Sequence, residues 1–157
     1  MKYILIIFLL LFHFKSNAQS IQCEFEEVYK NGEMQKGKLL FMDDLLRYQY
    51  LDKQLFTIIY NKNYFLIRND NVGAVTKIDN DPILEELSFI IKNYISIQNS
   101  YSKNDVDIKI EKSSEFNFLK RIAIKSLKLN MSIYFNNCTN KQLTNKYFQP
   151  FALIEIS

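Results

Sequence analysis

The side chains that could do chemistry here are few, and their neighbours restrict what each can do. Carboxylates occur as adjacent pairs, for example Glu26-Glu27 and Asp43-Asp44, and two acids held close together could divide acid–base work between them. Neighbouring residues on a strand point to opposite faces, however, and adjacent acids on strands and turns are far more often solvated than catalytic. The one histidine, His13, lies in an apolar N-terminal run. If that run is removed, a Ser-His-Asp or Cys-His nucleophile and any imidazole metal site go with it. Gly32, Gly37 and Gly73 are too scattered to cradle a phosphate, and no motif marks a Ser-Lys dyad. The residue types favour binding over catalysis, with no cofactor and no metal site expected.

The N-terminal run itself has the parts of a secretory signal peptide. Lys2 precedes an apolar stretch over residues 3–12, and Ser16-Asn17-Ala18 supplies small residues for cleavage after Ala18. The alternative, an uncleaved anchor, is short against the roughly 20 residues a membrane span needs. Cleavage leaves residues 19–157 as a single domain. It takes the basic count from 20 to 18 against 17 acidic side chains, a net charge of +1, which offers nothing to a nucleic acid. An exported monomer in the periplasm is the expectation. Cys23 and Cys138, the only two cysteines, are predicted to pair in that oxidising compartment. The bridge would close a loop of roughly 115 residues; two unpaired buried thiols are the alternative.

The elements that must position these groups read mainly as β. Short strands are predicted over residues 22–29, from 34, and over 38–42, 45–51, 54–60, 64–68 and 72–78, separated by turn-forming clusters such as Asn31-Gly32 and Asn61-Lys62-Asn63. Links this short demand an antiparallel meander. Residues 56–60 and 64–67 are apolar on both faces, so the sheet must be covered twice or wrap around something apolar. A helix is expected from Pro82 to about Gln98, with Asp81 as N-cap. Its wide apolar face suits either ordinary core packing or a mobile lid. Residues 99–104 read as an exit loop. Strands follow over 105–110, 115–119, 121–129 and 131–137, then a turn-rich stretch over 136–145 and an apolar end over 147–154.

Several of these residues together resemble a known family. Phe25-x-Glu27, Gly37-x-Leu39-x-Phe41, Leu46-Arg47-Tyr48-x-Tyr50 and Ile58-Ile59 before Tyr64-Phe65-Leu66 are similar, in order and spacing, to the outer-membrane lipoprotein carriers, the LolA-type periplasmic chaperones. Leu143-x-x-Lys146-x-Phe148 is similar to that family's final segment. The resemblance implies an incomplete antiparallel β-barrel whose apolar cavity lies under a helical lid. It implies a carrier that takes the acyl chains of lipoproteins from the inner to the outer membrane, with an inner-membrane release complex and an outer-membrane acceptor as partners. Leu39, Phe41, Arg47, Ile58, Phe65 and Ile67 would line the cavity, and Leu84, Leu87 and Ile91 would face it from the lid. Arg47 matches a strand arginine that turns toward the cavity and bonds to the lid; an ordinary arginine at the barrel rim is the alternative. Two further functions stay open: a domain of the same fold that senses lipids or lipoproteins without shuttling them, and an enzyme with a carboxylate or Ser-Lys pair at the barrel mouth.

Overall fold

A computed structural model describes residues 20–71, 73–79 and 81–150. The predicted signal peptide, the start of the strand expected from Val72, and the end of the apolar tail lie outside the described residues. Ten strands form one antiparallel sheet: β1 (Ser20–Tyr29), β2 (Met34–Met42), β3 (Leu45–Tyr50), β4 (Phe56–Asn61), β5 (Asn63–Arg68), β6 (Val75–Ile78), β7 (Ser100–Lys103), β8 (Val106–Lys112), β9 (Leu119–Lys125) and β10 (Asn130–Asn140). The spatial order is β6-β5-β4-β3-β2-β1-β10-β9-β8-β7, so β1 is central, β6 and β7 are the two edges, and the sheet does not close into a barrel. Helix α1 (Pro82–Lys92) lies between the edge strands in sequence, and a 3-10 turn (Asn145–Phe148) follows β10.

Local chemistry explains where the elements begin and end. Asp81 accepts from the Ile83 and Leu84 amides, Pro82 takes the first turn, and Lys92 sits at the negative end of the dipole. The helix stops at Lys92 instead of running to Gln98, because the Asn93 side chain takes the Phe89 carbonyl (2.8 Å) and the backbone turns. Asn104 and Asp105 both have positive φ (51° and 59°), the backbone of a tight hairpin. They therefore fold residues 100–103, expected as loop, back onto β8 as β7. Ser113 Oγ accepts from the Glu115 and Phe116 amides, which turns the chain where a strand was expected over 115–119. Ser126 does the same to Lys128 and Leu129 and ends β9 at Lys125.

Strand alternation sorts the apolar residues into two cores. One face of the sheet carries Phe25, Leu39, Tyr48, Ile58, Ile108, Ile122 and Phe135 in a single cluster with Leu87, Ile90 and Ile91 of α1. Ten strands spaced about 4.8 Å apart would make a flat sheet about 43 Å wide. Ile58 of β4 and Ile108 of β8 share a core only because the sheet curls around the helix. The opposite, convex face of β2–β5 carries Leu40, Met42, Ile59 and Ile67, covered by Leu143 and Phe148 of the C-terminal segment. The doubly apolar meander thus has two covers, one per face.

Two features pin the centre of the sheet. A β-bulge between β1 and β10, with Asn137 at φ 51°, sets Cys138 against Cys23, and the two form a disulfide. Beside it the Phe25 ring packs against Gly37 in the paired strand, where an added Cβ would fall on the ring and the Gln49 carbonyl.

Two stability outcomes follow. The disulfide closes a loop with a sequence separation of 115, so reduction is expected to lower stability by about 3–5 kcal/mol. Thermal melts with and without reductant measure the loss, and labelling two free thiols in the unreduced, denatured chain would contradict the bridge. Gly37→Ala is expected to cost about 1–3 kcal/mol through overpacking, read as a lower denaturant midpoint.

Candidate functional site

The curled sheet leaves a cavity of about 260 Å³ between its concave face and α1. Ile58 and Leu66 on β4 and β5, Leu84 and Leu87 on α1, and Met131 and Ile133 on β10 form its apolar walls. The helix is moored to both sides of the open seam. Tyr64 of β5 donates to the Leu84 carbonyl (3.4 Å), while Tyr101 and Lys103 of β7 donate to the Glu86 carboxylate (2.5 and 2.6 Å). Lys92 lies 4.0 Å from the Tyr60 ring centre and 3.7 Å from Asp44 in the β2–β3 turn. Inward, α1 buries Leu87, Ser88, Ile90 and Ile91.

A polar cluster is set into one wall. Glu27 of β1 is only 2% exposed, and three phenol hydroxyls converge on it. Tyr29 donates to Oε2 (2.6 Å), Tyr48 to Oε1 (2.7 Å), and Tyr50 to both oxygens (3.0 Å each). Period-two spacing builds the cluster: Glu27 and Tyr29 share one face of β1, as Tyr48 and Tyr50 do on β3, and β2 separates the two strands. The rings are themselves packed, with Tyr48 stacked on Phe25 at 3.8 Å and Tyr50 edge-on to Phe56 at 5.3 Å. Burial, followed by the Glu27 charge, holds the Tyr48 and Tyr50 hydroxyls well above the ordinary phenol range. Burial raises Tyr29 too, followed by its bond to Glu27.

The predicted site residues divide into three groups. Ile58, Leu84 and Leu87 line the cavity. Leu39, Phe41 and Ile91 belong to the same concave core, away from the cavity wall. Arg47, Phe65 and Ile67 lie on the convex side, against the expectation that they face the cavity. Strand alternation puts Arg47 on one face with Leu45 and Gln49, and that face packs under the C-terminal segment. Arg47 is 5% exposed and donates to Gln49 Oε1 (3.0 Å) and the Tyr147 carbonyl (3.2 Å), not to the helix. Burial lowers its guanidinium to about 10, still charged at neutral pH. Sequence reasoning left the Glu27–tyrosine cluster unassigned, although Glu27 and Tyr29 share a strand face with Phe25. Of the adjacent pair expected to be solvated, Glu27 is buried instead, and Glu26 beside it is half-buried and pairs with Lys36.

A second, open cleft of about 1080 Å³ lies beside Ser20, where the described chain begins, and the loop at Phe116–Phe118. Among the described residues its only charged lining side chains are Glu115 and Lys141. Among the described residues no group of three or more His, Cys, Asp or Glu side chains could hold a metal ion. No protein-family model matches the sequence, and no curated protein matches it either.

The tyrosine cluster makes an alkaline prediction. A phenol raised in the folded state stabilises the protein below its unfolded value, about pH 10. That stability is lost as pH climbs further, because the unfolded chain releases its proton first. Stability is therefore expected to fall above about pH 10, by up to about 1.4 kcal/mol per pH unit for each of Tyr48 and Tyr50. Tyrosinate absorbance should show these two ionising only as circular dichroism reports unfolding; their ionisation in the folded protein would contradict the buried cluster.

Proposed function

We propose that the protein is a periplasmic carrier that binds the acyl chains of lipoproteins under α1 and takes them from the inner to the outer membrane, acting by binding and not by catalysis. The observation that carries this reading is an apolar cavity between a curled sheet and one helix bonded to β5 on one side and to the edge strand β7 on the other. The resemblance of the strand motifs to the LolA-type carriers points the same way, and the Cys23–Cys138 bridge suits an oxidising compartment outside the cytoplasm.

The dimensions define how such a carrier would work. Ligand cavities usually measure roughly 300–1,000 Å³, and this one, at about 260 Å³, has room for part of one acyl chain. Loading more requires α1 to move outward as a lid. Withdrawing Leu87, Ile90 and Ile91 from the core exposes three apolar side chains, at about 1.5–3 kcal/mol each. An acyl chain filling the same space restores those contacts, which couples opening to cargo. Opening also breaks the polar moorings at Leu84, Glu86 and Lys92, of which the Glu86 carboxylate is largely buried.

Organic extraction of protein purified from its native envelope, followed by mass spectrometry, should find acyl chains. Leu84 lines the cavity from a half-buried position, so Leu84→Asp is expected to fold yet lose affinity for a fluorescent fatty-acyl probe by about tenfold or more. Unchanged affinity in a folded variant would remove α1 from the site and overturn the reading.

A further inference from the structure

We infer that the cavity selects the head group of its occupant: it takes an amphiphile whose apolar chain ends in a cationic nitrogen, with the ammonium group seated at Glu27. The inference rests on the reading that the cavity receives an apolar chain, and it adds the charge of the group at the end of that chain.

Four observations carry it. Glu27 is one of the residues that line the cavity, although it is 2% exposed. Its neighbours are three neutral phenols, and among the described residues no lysine or arginine forms an ion pair with it. Three phenols supply the donors and Tyr50 is shared between both oxygens, so an incoming ammonium would take the place of one of the two Tyr50 contacts. The cavity lining holds a second acid, Asp81, and no basic residue among the described ones.

The aromatic surroundings agree in sign. Tyr29, Tyr50 and Phe56 line the same space, and the faces of such rings attract cations. An ammonium group here gains a charge-assisted bond in a desolvated setting. A sulfate, phosphate or carboxylate head would meet the Glu27 charge with no donor but phenols already committed to it. A neutral head gains neither effect. Chemically, the preferred occupant is an alkylamine or a lipid with a free amino or quaternary ammonium group close to its acyl chain.

Titration calorimetry on the full folded chain tests this with three probes of one chain length, used below their micelle concentrations: decylammonium, decyl sulfate and decanol. Decylammonium is expected to bind about ten- to a hundredfold more tightly than either of the others. Glu27→Gln, checked by circular dichroism, should abolish the preference, so that decylammonium and decanol bind this variant equally. Asp81→Asn keeps a side chain able to cap α1 and should lower decylammonium affinity less. Equal affinity for all three probes would overturn the head-group inference and leave acyl binding standing. Binding of none of them would overturn both. The wild-type ranking decides the matter by itself if Glu27→Gln does not fold.

Discussion

Strands β2–β5 are apolar on both faces, and a sheet with no wet side must be covered twice. On the concave side the covering is shared: β8–β10 curl round to face β3–β5, and α1 fills the seam that remains. On the convex side Leu143, Tyr147 and Phe148 lie across Leu40, Ile59 and Ile67. Connectivity serves the same need. The chain leaves one edge at β6, lays α1 across the seam, and begins again at the far edge with β7, so a single helix connects the two edges. The strands away from the double cover, β8 to β10, revert to ordinary alternation with one polar side. Asp107, Lys109 and Glu111 face outward while Ile108 and Ile110 face in.

The central strand gathers the structure's specific chemistry. β1 pairs with both β2 and β10, carries half of the disulfide, places Phe25 over Gly37, and presents Glu27 to the cavity. An acid in this position is costly unless it is hydrogen-bonded. Three phenols two strands away or on the same strand meet that requirement, and they also rank among the core's packed rings. Removing the carboxyl would leave three buried hydroxyls to find new acceptors, so the cluster stands or falls as a unit.

Arg47 illustrates how a buried charge can be structural without touching a ligand. Its guanidinium holds the Tyr147 carbonyl, and Asn61 holds the Phe148 carbonyl (3.3 Å), which ties the convex cover to β3 and β4. The side chain is thus satisfied by backbone and Gln49 on the face opposite the cavity. Its work is to fasten the C-terminal segment.

Much of the architecture was legible in the residues themselves, because it depends on local chemistry. Short apolar runs between turn clusters gave the meander, Asp81-Pro82 the helix start, and two cysteines their pairing. The boundaries that went unread, the end of α1 and the bends at Ser113 and Ser126, turn on single side chains competing for backbone groups, and periodicity does not register them. The functional surface was harder to read for a different reason. Alternation separates Arg47 from Tyr48, and Phe65 from Leu66, but where both sets are apolar it does not say which set faces inward. Only the direction in which the sheet curls decides that. It sent Arg47, Phe65 and Ile67 beneath the C-terminal segment and drew Glu27 together with tyrosines 21 and 23 residues away in the chain. A carboxylate surrounded by phenols is a product of register across three strands, and no stretch of sequence contains it.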